Sequence, residues 1–389
     1  MPAFPLDLLD ASDEKKKEYF RDCIVHHKNL DEAIDETMTY ISSLVNERII
    51  LICGPSGVGK QELINGIKQK IIETEESTPN KTTGHIPIVE VEAIAPVEGS
   101  FNFPSLWISA LEEMCEPLLE RKISYAEVEG CDKKGNKIIM SKIKKADYEQ
   151  VLINTLKYRH VKAMIINEAH HMLMVATAKK ANWSVNVLKS LASCRIPIVL
   201  VGTYELLRYW ELESGYIDQS IRRTKTVNFP RYYQCKEELR YFGAAAKDLI
   251  LNMPFKEINP TIISENLEYL FEYSLGRIGA LKIWLMDAYS YALDHQAKFL
   301  TRKHLEATRI SGYLRDIVLE GIEDGENRMS KFMSDRNPDN TSVVRDENVS
   351  SMPAKCTTAK NSKPFKRNPK RDAANDGLIN TSSNGGKLA

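Results

Sequence analysis

A glycine-rich segment that ends in a lysine contains the residues of this sequence best suited to chemistry. It follows the apolar residues 49–52 and precedes a segment that favours a helix. Its spacing, G-x-x-x-x-G-K, is that of a P-loop, in which backbone N–H groups point into one concavity and the lysine reaches the outer phosphates. The segment therefore predicts a nucleoside triphosphate site. Its residues are Gly54, Pro55, Ser56, Gly57, Val58, Gly59 and Lys60.

Two positions that usually support the metal ion of such a site carry amides here. Gln61 follows the lysine, where Ser or Thr normally ligates Mg²⁺, and Asn167 ends the apolar residues 161–166, where an aspartate is usual. Neutral amide oxygens are weaker Mg²⁺ ligands than carboxylates. We therefore predict that Gln61 and Asn167 hold the metal weakly and that hydrolysis is slow, with Glu168 positioning the attacking water. The nearby His170 has no partner at metal-ligand spacing, so packing explains it better.

Other polar residues stand where a phosphate site of this kind has auxiliary groups. Thr203 ends an apolar segment and predicts a hydroxyl near the terminal phosphate, although threonine is common at strand ends. Arg222 and Arg223 precede a later strand, from which a guanidinium can reach the triphosphate of a neighbouring subunit. Arg277 opens a helix that can contact the nucleotide from above. For each arginine, a surface ion pair is an equally good explanation.

The elements that must position these residues follow from hydrophobic patterning. Nearly continuous apolar strands separated by helical segments are typical of an α/β fold with a parallel sheet covered by helices on both faces. Such sheets bind ligands at the carboxyl ends of their strands, so the P-loop, Glu168 and Thr203 are expected at one edge. Strands are predicted at residues 49–52, 86–93, 161–166, 196–201 and 226–229.

Four regions follow from changes in periodicity along the chain. Residues 1–47 predict an N-terminal helical segment, and residues 48–236 predict the P-loop core. Residues 237–324 carry helical patterns without strands, which predicts a small all-helical lid. Residues 325–389 lose this periodicity and are rich in Asn, Ser, Asp, Lys and Pro. That composition predicts a disordered tail.

The overall composition limits the class of protein. The 389 residues are 43% hydrophobic and 27% charged, which is ordinary for a globular protein. No apolar run reaches the roughly 18 residues of a membrane helix, and the N-terminus does not resemble a signal peptide. The seven cysteines show neither disulfide nor zinc spacing. These features predict a cytoplasmic protein that does not bind a membrane.

Charge is balanced, with 53 basic and 53 acidic residues. Because a neutral chain has no global signature of nucleic-acid binding, DNA contact must come from a local patch. The most basic stretch before the tail lies at residues 121–147, where two glycines indicate a hairpin or loop. A solvated surface is the alternative explanation. The lysines that we assign to DNA binding are Lys133, Lys134, Lys137, Lys142, Lys144 and Lys145.

The order of these motifs resembles the TniB/TnsC-type transposition ATPases over roughly residues 20–300. Residues 86–101 are the most family-specific part, whereas the P-loop, Asn167-Glu168 and Thr203 are shared with many AAA+ proteins. The resemblance implies an AAA+ domain with a helical lid that binds ATP and Mg²⁺. It also implies a homo-oligomer, as a ring or filament on double-stranded DNA. That assembly would link a target-selection protein or RNA-guided complex to the transposase of a Tn7-like transposon, CRISPR-associated ones included.

Two other classes stay open from the residues alone. A small-molecule phosphotransferase shares the P-loop, but it needs an acceptor pocket in place of a helical lid. A signalling or scaffold NTPase has protein partners instead of DNA, and duplex binding by the lysines of residues 133–145 distinguishes it from the transposition protein.

Overall fold

The structure is a computed structural model, and the described part of the chain is interrupted by several gaps. Within it, no helix is both long and apolar enough to cross a membrane. The described residues are 4–43, 48–76, 84–96, 99–119, 123–131, 137–145, 147–212, 223–257, 259 and 261–336.

Strands form a large parallel sheet and a separate antiparallel pair. The strands are β1 (Ile49–Cys53), β2 (Ile88–Glu92), β3 (Ile123–Cys131), β4 (Lys137–Lys145), β5 (Ala163–Asn167), β6 (Ile198–Gly202) and β7 (Thr224–Asn228). Five of them lie parallel in the order β2–β5–β6–β1–β7. All of β1 and β6 is buried, as expected for central strands covered on both faces. The predicted sheet is confirmed, with strand ends shifted by up to two residues.

Twelve α-helices lie in the described residues. The first seven in chain order are α1 (Asp13–Asp22), α2 (Lys28–Ile41), α3 (Lys60–Glu76), α4 (Phe103–Glu113), α5 (Tyr148–Tyr158), α6 (Ala178–Ala192) and the short α7 (Arg208–Glu211). Those that follow the sheet are α8 (Lys236–Leu251), α9 (Ile262–Ser274), α10 (Ile278–Asp294), α11 (Arg302–Thr308) and α12 (Gly312–Arg336). Phe20 of α1 packs with the helices that follow the sheet.

The two faces of the sheet are covered by different helices. Ile50 and Ile52 of β1 belong to a buried cluster with residues of α2 and α3. Leu51, which points to the other face because side chains alternate along a strand, belongs to a cluster with residues of α4, α5 and α6. A third cluster joins α8 to α11, which confirms the predicted all-helical lid.

The antiparallel pair β3–β4 is the predicted hairpin in the basic stretch. Its register runs from Ile123 opposite Lys145 to Cys131 opposite Lys137. Lys142 and Lys144 also lie on β4. The other two lysines assigned to DNA, Lys133 and Lys134, lie outside the described residues.

Helix α12 connects the lid to the sheet core. Glu326 pairs with Arg231, in the segment after β7, at 2.8 Å, and Met329 is buried in the core cluster beside the sheet. The tail boundary predicted at residue 325 falls inside this helix, so the chain through Arg336 belongs to the folded part. Sequence periodicity missed the extension because only a few of its residues face the core.

The rest of the predicted tail, residues 337–389, lies outside the described residues.

Candidate functional site

The P-loop connects β1 to α3 and has the backbone that its glycines allow. Gly57 and Gly59 have φ angles of +76° and +115°, which disfavour any residue with a side chain. Gly54 meets a different constraint, because an added Cβ would lie 2.3 Å from the carbonyl oxygen of Phe229. Since α3 begins at Lys60, its free N–H groups face the loop. The segment therefore has the geometry of a phosphate cradle.

Lys60 is folded back onto the loop. Its side-chain Nζ donates to the carbonyl oxygens of Pro55, at 3.1 Å, and Gly54, at 3.4 Å. Burial lowers the pKa of the Lys60 ammonium, and the negative charge of Glu168 partly opposes this effect. An incoming phosphate offers Lys60 a charged acceptor in place of neutral carbonyls, which favours exchange of partners.

The lid packs directly on the P-loop. The backbone N–H of Ala280 donates to the Gly57 carbonyl at 2.7 Å, and the Arg277 guanidinium donates to the Ser56 carbonyl at 2.8 Å. The N-terminal turn of α10 approaches so closely that a Cβ on Gly279 would lie 2.8 Å from the Gly57 oxygen. Burial lowers the pKa of Arg277, which is 8% exposed. The predicted lid arginine is therefore held at the loop.

An ion pair adds a side-chain contact between the lid and the core. Lys282 of α10 lies 3.1 Å from the carboxylate of Glu62, two residues after the P-loop lysine. Both side chains are largely shielded from solvent. This pair fixes α10 to α3, the helix that follows the P-loop.

The edge at β5 is built from side-chain hydrogen bonds. The Oδ1 of Asn167 accepts the backbone N–H of Glu168 at 2.9 Å, and the Nδ2 of Asn167 donates to the Oε1 of Gln61 at 3.1 Å. The Nε2 of Gln61 in turn donates to the carboxylate of Glu90 on β2 at 3.1 Å. Lys68 of α3 pairs with the other oxygen of Glu90 at 2.7 Å. The two amides predicted at the metal site therefore contact each other.

Glu168 itself has an unusual backbone. Its φ of +49° and ψ of +34° are left-handed, a conformation that a residue with a side chain adopts at some cost. The Nδ1 of His170 lies 3.3 Å from the Glu168 carboxylate. Burial and His171 lower the pKa of His170, so its ring is neutral near pH 7. His171 is held separately, by the Ala93 carbonyl at 2.8 Å.

The donor set does not fit a Mg²⁺ ion ligated by Gln61 and Asn167. Each amide oxygen already accepts one hydrogen bond, from Asn167 Nδ2 or from Glu168 N–H, so it could offer a metal only its second lone pair. The nearby carboxylate of Glu90 is paired with Lys68. In the part of the chain that the structure describes, no group of three or more His, Cys, Asp or Glu residues could hold a metal.

The remaining predicted residues fall into two groups. Thr203 directly follows β6, and the Gly54 N–H donates to the preceding carbonyl of Gly202 at 3.3 Å, so Thr203 lies at the P-loop edge. Arg223 lies before β7, at the amino ends of the strands and away from its own P-loop. Arg222 lies outside the described residues.

Sequence reasoning missed Glu90 and Gly279. Glu90 lies in the middle of a strand, and only the parallel pairing of β2 with β5 brings it near Asn167. Gly279 occurs one residue into a helix, where a glycine without a close partner carries no clear signal. Both depend on contacts between elements that are distant in sequence.

Comparison with known proteins finds a family match over part of the chain and structural matches that agree with the fold. The family model described as "Bacterial TniB protein" matches residues 136–233, which include β5, β6 and β7. A search of curated proteins found no significant match.

Solved structures resemble the chain over most of its length. The structure of the Aeropyrum pernix ORC2 protein in ADPNP–ADP complexes is 14% identical, with a TM-score of 0.51, and the match covers 76% of this chain and 72% of that one. The ADP form of the same protein is 14% identical with a TM-score of 0.50, over 75% and 71% of the two chains. At this identity, the likeness shows the fold.

Proposed function

We propose that this chain is a TniB-type AAA+ protein that binds ATP in the P-loop site and assembles on duplex DNA in the ATP-bound form. Its biological role in this proposal is that of an adaptor in transposition. The assembly, a ring or a filament, links a target-selection protein or RNA-guided complex to the transposase of a Tn7-like element.

The contact of the lid with the P-loop is the observation that carries the nucleotide part of the proposal. Arg277 and the backbone of Ala280 are bonded to loop carbonyls. A phosphate in the loop would meet Lys60 from one side and Arg277 from the other. Because both cations are largely buried, their interaction with phosphate is stronger than at an exposed surface. The position of the lid therefore depends on the nucleotide.

The hydrolytic part of the proposal assigns one role to each polar residue at the sheet edge. Glu168 accepts a hydrogen bond from the attacking water, and Thr203 orients the water or the terminal phosphate. Arg223, which is distant from its own P-loop, serves the site of a neighbouring subunit. We propose slow turnover because the Gln61 oxygen accepts from Asn167 and the Asn167 oxygen accepts from the Glu168 N–H, so that phosphates and water supply most ligands of the Mg²⁺.

The DNA part of the proposal relies on the hairpin β3–β4. A two-stranded antiparallel ribbon is one of the elements that fit the major groove of B-DNA. The strand β4 carries Lys137, Lys142, Lys144 and Lys145 in a chain whose total formal charge is zero. Phosphate contacts of this type give little sequence preference and a steep dependence on salt.

Electron microscopy of the pure protein tests the proposal. With ATP and duplex DNA, we expect regular rings or filaments around the duplex, and with DNA alone we expect isolated particles. The variant Lys60→Ala serves as the control, because it retains the hairpin but lacks the phosphate-binding ammonium. Identical particles with and without ATP would contradict ATP-dependent assembly, whereas ATP-dependent assemblies that exclude DNA would favour a scaffold NTPase.

A further inference from the structure

Hydrogen bonds between side chains connect α3 and β2 to the backbone of Glu168. We call this set, formed by Lys68, Glu90, Gln61, Asn167 and the Glu168 N–H, the relay. Its four contacts measure 2.7 to 3.1 Å. It crosses from the first helix after the P-loop to the carboxyl end of β5.

The direction of the relay is fixed at both ends. At one end the donor is the backbone N–H of Glu168, so the atom of Asn167 that accepts it must be the amide oxygen. The Asn167 nitrogen must then donate, and Gln61 accepts through its own oxygen. At the other end the Glu90 carboxylate only accepts, and it takes the Gln61 N–H. Each amide therefore has one orientation that satisfies both of its neighbours.

The far end of the relay is held by charge. Lys68 lies 2.7 Å from Glu90, and both side chains are partly buried, with 33% and 19% of their surface exposed. This pairing directs the carboxylate of Glu90 toward α3. Glu90 can therefore hold Gln61, and a move of Glu90 to another partner would break its ion pair with Lys68.

The near end of the relay acts on a strained backbone. Glu168 is left-handed, with φ of +49°, and the Asn167 oxygen fixes its N–H in that conformation. The direction of the Glu168 side chain follows from this backbone. Without the Asn167 hydrogen bond, the Glu168 N–H would lose this partner and the backbone would be free to leave its strained conformation.

We propose that Gln61 and Asn167 are positioning residues for Glu168, with Glu90 as the fixed end of the relay, and that they are not metal ligands. The inference rests on the proposed hydrolysis of ATP at this site. It explains why two amides occur together, because each amide has both a donor and an acceptor. An aspartate at position 167 has no donor for residue 61, so the pair of threonine and aspartate cannot form the same hydrogen bonds.

The substitution Asn167→Asp distinguishes a positioning role of Asn167 from a metal-ligand role, because the two roles predict changes in kcat of opposite sign. The new carboxylate keeps the oxygen that accepts the Glu168 N–H but has no donor for Gln61, so two acceptors face each other. A positioning role predicts that kcat falls by about tenfold, the effect of removing one hydrogen bond and leaving an unpaired acceptor. A metal-ligand role predicts a rise in kcat, because a carboxylate binds Mg²⁺ more strongly than an amide.

A second substitution, added to Asn167→Asp, can reverse the direction of the hydrogen bonds in the relay and so restore their number. In Glu90→Gln with Asn167→Asp, the new amide donates to the Gln61 oxygen after Gln61 turns over, and the Gln61 nitrogen donates to the new carboxylate. The formal charge of the pair is unchanged. We expect the double variant to recover kcat to within about threefold of the native protein. Glu90→Gln alone keeps one acceptor oxygen for Gln61 but turns its amide N–H groups toward Lys68, and as the control it should lower kcat by about threefold or less.

The experiment measures kcat and KM for ATP, ATP affinity, and the midpoint of thermal unfolding for the native protein and these three variants. The proposal predicts a lower kcat for Asn167→Asp at nearly unchanged KM, with recovery of both kcat and midpoint in the double variant. A faster Asn167→Asp variant would overturn it. Recovery of the midpoint without recovery of kcat would reduce the relay to a structural role and overturn the positioning role.

Failure of the proposed function is distinguishable from failure of the relay. If the native protein binds no ATP, the proposed function is wrong. Non-additive changes in the thermal midpoint of the single and double variants would still establish the relay as a structural unit. If ATP binds but neither the native protein nor any variant hydrolyses it, the positioning role is overturned. The proposal of ATP-dependent assembly is not affected by that result. The double variant could instead change the thermal midpoint by the sum of the changes in Glu90→Gln and Asn167→Asp. That additivity would show that the two residues are not coupled, which overturns the relay itself.

Discussion

The two sides of the P-loop are built in different ways. On the lid side, the contacts are a backbone N–H of Ala280, a guanidinium on a carbonyl, and the close approach of Gly279 to Gly57. On the sheet side, the contacts join side chains, Gln61 with Asn167 and Glu90. The lid side combines a close backbone approach at Gly279 with the side chains of Arg277 and Lys282, whereas the sheet side depends on the donor and acceptor directions of its amides.

This difference predicts different responses to substitution. Steric changes on the lid side should alter how nucleotide binds, because α10 and the P-loop share a surface. Chemical changes on the sheet side should alter turnover, because that side contains Glu168 and leaves the phosphate cradle intact. Lys60 lies between the two and affects both.

The largest effect is expected for Lys60→Ala. The ammonium is the P-loop cation that reaches the phosphates, and its removal leaves the loop N–H groups, the helix terminus and the Arg277 guanidinium of the lid. We expect ATP affinity to fall by about a thousandfold. Titration with a fluorescent ATP analogue measures this, and an affinity within tenfold of the native value would contradict the assignment of the site.

Glu168→Gln tests the sheet side alone. The amide is nearly the same size as the carboxylate but cannot accept a proton from water, so we expect kcat to fall by about a hundredfold. ATP affinity should stay within about threefold, since no cation of the loop is removed. Phosphate release and ATP titration on the same sample separate these outcomes, and a parallel decrease in affinity would show that the two sides are not independent.

Helix α12 offers a test of how the lid is joined to the core. Truncation after Arg336 should leave the thermal midpoint unchanged, because all described contacts of α12 remain. Truncation after Asp324 removes Met329 and leaves Arg231 without Glu326. We expect that change to cost about 3 kcal/mol or more. Equal midpoints for the two truncations would contradict the assignment of residues 325–336 to the folded part.

Gly279→Ala tests the lid side with a single methyl group. The added Cβ would lie 2.8 Å from the Gly57 oxygen and 3.0 Å from the Gly59 nitrogen, so α10 must move away from the loop. We expect ATP affinity to fall by about tenfold with little change in kcat at saturating ATP.

Gly321→Ala is the matched control for this change. It lies in α12, where an added Cβ meets no atom within 4 Å, so it should leave ATP affinity unchanged. An unchanged affinity in Gly279→Ala as well would show that the lid does not need its close contact with the P-loop.

Sequence reasoning was most successful where one element carries its own signal. The P-loop, the parallel sheet and the helical lid each follow from local spacing or periodicity, and the structure confirms the sheet and the lid. Arg277 lies at the P-loop, where it donates to the Ser56 carbonyl, and its role toward the nucleotide stays a prediction.

The sequence did not reveal how elements meet. The contact between Gln61 and Asn167 joins residues 106 positions apart, and their residue types alone predicted two ligands for a metal instead of one hydrogen bond. The extension of α12 through Arg336 depends on a few buried residues such as Met329, which a composition rich in polar residues conceals. In both cases, the deciding information is the pairing between distant segments.

Duplex binding with and without ATP tests the central claim most directly. Fluorescence anisotropy of a labelled duplex, measured at two salt concentrations, gives both the affinity and its salt slope. We predict at least roughly tenfold tighter binding with ATP and no such gain in Lys60→Ala. We also predict a shallower salt slope in Lys142→Ala with Lys144→Ala, by about one unit for each phosphate that is no longer neutralised. Equal affinity with and without ATP, or a salt slope unchanged by the lysine substitutions, would contradict ATP-dependent binding of DNA through the β3–β4 hairpin.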